Sequence, residues 1–253
     1  MKAIVLSCDR YAPFAANTLR SYQAHWPQHP FTFRVPWQHQ PQPMPQGVAV
    51  EPVQTPPQIR DTVLRLIAGL PDDSWVYWCI DDKYVIDLRT PRVSALAAWV
   101  PGIADPNVVA VSFARARAML SRQNVSSRNR LVTPAGEVLL QIVRQHYLQI
   151  WLHQFLRVKV LRYIFESFPD RPFSAKEMDP MVRALPVPDG WRFYVTRRNH
   201  VVFGETTTRG KMTRNCVEDF RRSGQPVPTG FEAVEQSIII GKLPPRWWRA
   251  FAS

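Results

Sequence analysis

The chain has 253 residues, of which 45% are hydrophobic, and this excludes an intrinsically disordered protein. Its formal charge of +12 indicates an anionic partner, but the basic residues are scattered and no zinc-finger or aromatic RNA-binding motif accompanies them, so a phosphorylated ligand is sufficient. The cysteines Cys8, Cys79 and Cys216 are too far apart for a disulfide framework or a metal-binding spacing. Neither a signal peptide nor a membrane span is predicted, so we expect a cytoplasmic protein.

The first half of the sequence predicts strands that alternate with helices. Apolar runs predict strands at residues 3–7, 31–35, 48–50, 75–80 and 108–112, and apolar periodicity predicts helices after residue 11, from residue 57 to 70 and from 92 to 100. The many prolines between residues 36 and 57 predict an extended surface segment. This order is typical of an α/β fold with a mostly parallel, mixed sheet flanked by helices, and we expect one domain over residues 1–253.

The second half is less regular. A basic stretch at 114–137 predicts an excursion from the sheet, and an apolar stretch predicts a strand at 147–150 and a helix at 152–168. Ser174 and Glu177 have the spacing of a capping box, which predicts a helix start. Residues 192–195 and 201–203 flank a polar turn and predict a hairpin. We expect the aromatic residues of the tail, residues 242–251, to pack against the domain.

Two carboxylates follow the most apolar predicted strand directly. The run from Trp75 to Ile80 is typical of a strand buried on both faces, and Asp81 and Asp82 come next. The carboxyl ends of parallel strands are where open α/β sheets bind ligands, and a divalent cation that carries a nucleotide diphosphate would compensate two adjacent carboxylates. The alternative is a solvated turn, in which paired aspartates are common.

Other polar residues become candidates for nucleotide contacts. In a doubly wound sheet the loop after the first strand commonly meets a nucleotide, and here it contains Ser7, Asp9, Arg10 and Tyr11. Arg60, in the first turn of a predicted helix, could reach a phosphate. The alternatives are an ordinary turn and a solvated arginine. His146 and His153 lie in apolar surroundings that are typical of hydrogen-bonded packing residues.

The stretch from residue 204 to 214 predicts a mobile loop that could close over a diphosphate. Gly204 and Gly210 could act as hinges, and Met212 is the one apolar side chain that could anchor the loop. The cations are Arg209, Lys211 and Arg214.

Three of these features together resemble the GT-A class of nucleotide-sugar glycosyltransferases. They are the Ser7-Cys8-Asp9-Arg10 opening after the first strand, the strand that ends in Asp81-Asp82, and residues 147–151 leading to Phe155-Leu156, which are similar to the acceptor-side segment of several bacterial transferases. The sequence departs from the family in one respect. Lys83 stands where the carboxylate motif usually has its last acid, so metal coordination is thinner, and Lys83 could face a phosphate instead.

The resemblance implies a UDP-sugar, or another nucleotide-sugar, bound through Mn²⁺ or Mg²⁺ held by Asp82 and Asp81. It implies transfer of the sugar to an acceptor hydroxyl, with Asp179 or Glu177 as the base of an inverting reaction. The loop after the first strand, including Cys8, together with Arg60, Lys83, Arg209 and Lys211, would contact the nucleotide. Residues 204–253 would close over the site.

Two other classes of function are also considered. Lys83 at the position of the usual acid favours a nucleotide-binding module that has the fold but no transferase activity. The charge of +12 suits a nucleic-acid binder, whose affinity would fall steeply with salt, and this class ranks last.

Overall fold

The structure is a computed structural model that describes residues 1–41, 43–115, 124–143, 148 and 150–243. The strands are β1 (Lys2–Leu6), β2 (Thr32–Trp37), β3 (Val50–Gln54), β4 (Trp75–Ile80), β5 (Lys83–Leu88), β6 (Val108–Ser112), β7 (Val125–Val132), β8 (Val138–Ile142), β9 (Gln154–Arg157), β10 (Arg192–Thr196), β11 (Val201–Glu205), β12 (Thr207–Thr208), β13 (Lys211–Met212) and β14 (Ile239–Ile240). The helices are α1 (Ala12–His25), α2 (Ile59–Leu66), α3 (Thr90–Trp99), α4 (Val158–Glu166), α5 (Ala175–Ala184) and α6 (Arg214–Arg222).

Nine of the strands form one mixed sheet in the order β3-β2-β1-β4-β9-β6-β10-β8-β7. The strands β8 and β9 run opposite to the other strands of this sheet. Helices cover both faces: α1 and α3 pack on one face, and α2, α4 and α5 pack on the other. The predicted α/β class, with a mostly parallel mixed sheet flanked by helices, is confirmed.

The strand β4 lies in the middle of this sheet and is buried along its whole length. Its side chains alternate between the two cores, so that Tyr77 and Cys79 pack beside α1 while Trp78 and Ile80 pack beside α2 and α4. A strand between two layers of helices needs apolar residues on both faces, and this explains its unbroken apolar sequence. The predicted bounds of this strand are confirmed.

The chain leaves the large sheet directly after β4. Asp81 and Asp82 form a turn, and β5 then joins a separate three-stranded sheet with the order β14-β11-β5. The strand β5 lies against α1. The aspartate pair therefore stands where the chain passes from one sheet to the other.

The predicted hairpin of residues 192–195 and 201–203 is wrong. The strand β10 pairs with β6 and β8 in the large sheet, whereas β11 pairs with β5 and β14 in the small one. The turn between them crosses from sheet to sheet, and it is held by hydrogen bonds from Arg197 N to Val138 O and from His200 N to Phe113 O. Spacing and turn residues indicate where strands end, but they do not identify the partners of those strands.

Several further predictions concern the second half of the chain and the cysteines. The excursion at 114–137 contains β7, and the apolar stretch begins its helix at Val158, after strand β9, instead of at residue 152. Part of the strand predicted at 147–150 and most of the tail at 242–251 lie outside the described residues. The cysteines are free thiols, as predicted. Within the described ranges, no helix has the length and apolar content needed to cross a bilayer.

Candidate functional site

The loops after β1 and β4 meet at the carboxyl edge of the large sheet. These strands are parallel neighbours with Leu6 opposite Ile80, and the Asp81 amide donates a 3.2 Å hydrogen bond to the Leu6 carbonyl oxygen. The Ser7 side chain lies close enough to the Asp81 carboxyl to lower its pKa by hydrogen bonding. The structure therefore brings together two groups of candidate residues that are more than seventy positions apart in the sequence.

The backbone on either side of the aspartate pair is fixed by two threonines. The Thr18 hydroxyl of α1 donates a 2.8 Å hydrogen bond to the Lys83 carbonyl oxygen, and the Thr206 amide donates a 2.7 Å hydrogen bond to the Asp82 carbonyl oxygen. Thr18 and Thr206 are both fully buried. The turn is thus fixed by buried groups and is not a loosely solvated loop, although neither aspartate is fully buried as a whole residue.

Lys83 does not point into solvent. Its side chain is only 4% exposed, and its ammonium nitrogen lies 3.1 Å from Asp82 Oδ1 and 3.4 Å from Glu205 Oε1. Glu205 is brought there by the small sheet, in which it stands opposite Lys83 in the β11–β5 pairing. The sequence did not indicate Glu205 as a site residue, because its position depends on a strand pairing that the predicted hairpin had misassigned.

Burial and neighbouring charges both shift the pKa of Asp81. The pKa of its carboxyl is raised to about 8, mainly by burial and to a smaller extent by the neighbouring Asp82, while the Ser7 side chain and the Lys83 ammonium act in the opposite direction. Burial is also the main cause that raises the pKa of the Cys8 thiol and of the Tyr11 phenol, and the charge of Asp81 contributes to both. The negative charge of the Asp81 carboxylate is therefore unfavourable at this edge unless a cation compensates it.

This charge balance suits a divalent cation that is held only partly by the protein. The Lys83 ammonium pairs with the carboxylates of Asp82 and Glu205, and Asp81 lies close enough to Asp82 and Lys83 for their charges to act on its pKa. In the described part of the chain, however, no three His, Cys, Asp or Glu side chains are arranged to hold a metal by themselves. The residues present fit a magnesium-like or manganese-like ion whose remaining ligands are phosphate oxygens and water.

Asp9 joins two loops of the carboxyl edge. Its carboxylate oxygens accept hydrogen bonds from the backbone amides of Gln38 and His39, each 2.8 Å long, and the Gln38 side chain accepts one from the Asp9 amide. These bonds, and the neighbouring His39 ring, lower the pKa of Asp9 against the effect of burial. Asp9 therefore positions the loop after β2 beside the loop after β1.

An aromatic cluster lies beside this loop. The Tyr11 ring is 5.4 Å from the ring of Phe231, and the Arg10 guanidinium lies over the same Phe231 ring at 5.1 Å. Phe14 completes the cluster, 4.8 Å from Phe231. Phe231, in the C-terminal region, thus contacts the candidate nucleotide loop.

Arg60 lies at the start of α2. This helix follows β3, a parallel strand, so its first turn is at the same edge as Asp81. The Arg60 guanidinium is 2.8 Å from Asp61 and 3.6 Å from Asp170, and its side chain is about one quarter exposed, at 24%. Arg60 is therefore partly compensated already, and a phosphate would have to compete with these carboxylates.

The two candidate bases lie on α5. Glu177 forms the predicted capping box: its Oε2 accepts from the Ser174 amide at 2.7 Å, and its Oε1 pairs with Arg171 at 3.1 Å. Asp179 pairs with Arg183 at 2.7 Å on the exposed side of the helix. The observed contacts of both carboxylates are within their own helix region and do not involve Asp81 or Asp82. Their catalytic role stays a prediction.

The predicted loop at residues 204–214 contains regular structure, and its mobility without ligand stays a prediction. Residues 207–208 and 211–212 form a small hairpin whose turn residues, Arg209 and Gly210, both have positive φ, and Thr213 caps α6. Lys211 pairs with Glu232 at 2.8 Å. Gly204 is not a hinge, because it lies in β11, where an added Cβ would come within 2.4 Å of the Tyr84 ring. This glycine allows close packing.

No protein-family model and no curated protein matches this sequence. Two solved structures of the galactosyltransferase LgtC are similar to the chain. The structure in complex with donor and acceptor sugar analogues has 15% identity and a TM-score of 0.35, over 75% of this chain and 68% of that one. An active-site mutant of LgtC has 15% identity and a TM-score of 0.36, over 90% of this chain and 98% of that one. At this level of similarity we assign no residue role from LgtC.

Proposed function

We propose that the protein is a glycosyltransferase of the GT-A class that uses a nucleotide-sugar, most simply a UDP-sugar, and transfers the sugar to an acceptor hydroxyl. One observation carries the proposal: Ser7, Asp81 and Asp82 come together at the carboxyl ends of two adjacent parallel strands, at the point where the chain leaves the large sheet. This is the edge at which α/β sheets bind nucleotides. Two of the three features that carry the sequence resemblance, the loop after β1 and the aspartate pair, meet at this edge, which supports the proposal.

The diphosphate would bind between Asp81, Asp82 and Lys83. With Asp82 Oδ1 engaged by Lys83, the second oxygen of Asp82 and the carboxylate of Asp81 would hold Mn²⁺ or Mg²⁺. Such an ion would supply positive charge to the leaving diphosphate. Ser7, Cys8, Asp9, Arg10 and Tyr11 would shape the nucleoside side of the site, and Arg60, Arg209, Lys211 and Arg214 would provide charge at its rim.

The acceptor side is proposed to use a carboxylate of α5. In an inverting transfer, the acceptor oxygen forms a bond to the anomeric carbon, its proton moves to the carboxylate, and the bond from the anomeric carbon to the diphosphate oxygen breaks to release UDP. Asp179 suits this role better than Glu177, because its partner Arg183 is exposed and displaceable, whereas Glu177 caps the helix.

The proposed function also implies a domain organisation for the chain. We propose one domain over residues 1–253, in which the C-terminal region from residue 204 forms one wall of the site. The contact of Phe231 with Tyr11 and Arg10 supports this arrangement.

The second candidate function is a nucleotide-binding module without transferase activity. The ion pair between Lys83 and Asp82 favours it, because the ammonium already compensates the carboxylate that a catalytic metal would use. Binding of nucleic acid has no comparable observation in its favour, and we propose that nucleic acid is not a partner.

Calorimetry and turnover assays distinguish these functions. We expect UDP to bind more tightly with manganese than with a chelator, and we expect slow hydrolysis of at least one UDP-sugar. Manganese-dependent binding without hydrolysis of any common nucleotide-sugar would favour the binding module. Equal affinity in manganese and in chelator would contradict the proposed metal site.

A further inference from the structure

The Glu205 carboxylate contacts the Lys83 ammonium from the small sheet. Its carboxylate is 3.4 Å from the Lys83 ammonium, on the side of the small sheet, whereas Asp82 approaches the same ammonium at 3.1 Å from the turn. The Lys83 side chain is 4% exposed, so protein groups and not water compensate its charge. Two carboxylates thus share one buried cation.

We propose that Glu205 is a positioning residue that keeps Lys83 compensated and thereby leaves Asp82 available for a divalent cation. The inference rests on the proposed function, because it concerns the same metal and diphosphate site. It adds to that function a residue that neither the sequence motif nor the resemblance indicates.

The physical reason is competition for Asp82. A buried ammonium that loses one of two carboxylate partners depends fully on the other, because an uncompensated buried charge is strongly unfavourable. Without Glu205, Lys83 would hold Asp82 more tightly, and a divalent cation would have to displace it. With Glu205 present, the ammonium keeps a partner while Asp82 binds the cation.

The geometry also opposes a direct role of Glu205 as a metal ligand. Asp81, Asp82 and Glu205 do not form a three-carboxylate metal cluster among the described residues. The backbone that carries Glu205 is fixed, since Glu205 lies opposite Lys83 in the β11–β5 pairing and the next residue, Thr206, donates to the Asp82 carbonyl oxygen. Glu205 therefore faces the ammonium from a fixed strand.

A double-mutant cycle tests this role, with UDP affinity measured by calorimetry in manganese and in chelator. Glu205→Gln keeps the size and removes the charge, and it should lower the manganese-dependent affinity about tenfold, while affinity in chelator stays within about twofold. In a Lys83→Met background, the same Glu205→Gln change should have less than a twofold effect, because the competing ammonium is gone. The control is Asp72→Asn, which removes the carboxylate of an exposed ion pair with Arg162 before β4, at the opposite edge of the sheet, and should change nothing.

The outcomes separate the possible roles. A tenfold loss that persists in the Lys83→Met background would show that Glu205 binds the cation directly or acts by its charge alone, and would overturn the inference. An equal loss in manganese and in chelator would show a merely structural role, and would overturn it even if Lys83→Met fails to fold. If the unmodified protein shows no dependence on manganese, the proposed function fails first, and the inference fails with it.

Discussion

The imidazole Nε2 of His153 lies 2.9 Å from the carbonyl oxygen of Ile80, the last residue of β4 before the aspartate pair. Its Nδ1 is 2.7 Å from the Tyr22 hydroxyl, which is in turn 2.7 Å from the Tyr77 hydroxyl. A neutral ring that carries its proton on Nε2 satisfies both contacts, and burial lowers the pKa of His153 to about 3. His153 is thus a hydrogen-bonded packing residue, as predicted, and it fixes the end of β4.

The pKa of His153 predicts how stability depends on pH. The folded protein keeps this ring neutral, whereas the unfolded chain binds a proton near the usual pKa of 6.5, so the stabilisation is present above pH 6.5 and is lost as the pH falls toward 3. Between pH 6.5 and 5 the loss should be about 2 kcal/mol in the free energy of unfolding. Urea unfolding at several pH values measures it.

The control for this prediction is His153→Gln, whose amide can donate a hydrogen bond but does not titrate. The variant should be less stable at pH 7 and should have a shallower dependence on pH between 6.5 and 5. If the two proteins lose the same free energy over that range, carboxylates and not His153 are responsible for the acid sensitivity.

A second prediction concerns the aspartate pair. Asp82→Asn should reduce the manganese-dependent UDP affinity about tenfold or more, and Asp81→Asn should reduce it less, because Asp82 is the last acid of the motif. Asp73→Asn is a matched control, since Asp73 precedes β4 at the opposite edge and forms an exposed ion pair with Lys159. Unchanged affinity in both site variants would show that the pair is only a turn.

A third prediction separates the candidate bases. Asp179→Asn should lower kcat about 100-fold while nucleotide affinity is unchanged, because the residue is proposed to accept the acceptor proton. Arg183→Gln removes its partner and should leave most activity. Full activity of Asp179→Asn together with loss in Glu177→Gln would assign the role to Glu177 instead. Circular dichroism would check that the helix start survives.

A fourth prediction concerns the turn at Arg209. This residue has a φ of 53°, a conformation that asparagine tolerates better than arginine. Arg209→Asn should therefore raise the free energy of unfolding by about 0.5 kcal/mol. If Arg209 also contacts a diphosphate, the same variant should bind UDP more weakly in calorimetry. Unchanged affinity would limit the residue to its place in the turn.

A fifth prediction concerns Gly204. Its replacement by alanine would place Cβ 2.4 Å from the Tyr84 ring, and the clash should cost about 1 to 3 kcal/mol in thermal or urea unfolding. Gly102→Ala is the matched control, because no atom lies within 4 Å of the added Cβ there. A neutral Gly204→Ala variant would show that Tyr84 can move, and that this part of β11 is more adaptable than its packing indicates.

The parts of the fold that were predictable from sequence are those that local periodicity determines. The bounds of β4 and β6, the order of the first strands and helices, and the capping box at Ser174 follow from apolar runs and capping residues that need no distant partner. The Asp81-Asp82 turn and its approach to Ser7 follow from parallel strand order.

What could not be predicted depends on contacts between distant segments. The pairing of β11 with β5 was not predicted, because the sequence of residues 192–203 is also compatible with a hairpin. Glu205 was not identified as a site residue for the same reason. The partners of Lys83 and the packing role of Gly204 likewise depend on side chains far away in the sequence. Tertiary contacts, and not local propensity, determined these features.

The passage of the chain from one sheet to the other at Asp81 and Asp82 has a mechanical consequence. Asp81 is anchored to the large sheet through Leu6, whereas Lys83 and Glu205 belong to the small sheet. The turn formed by Asp81 and Asp82 therefore connects the two sheets directly. A ligand that binds to these charged groups would therefore also change the rigidity of β5 and β11.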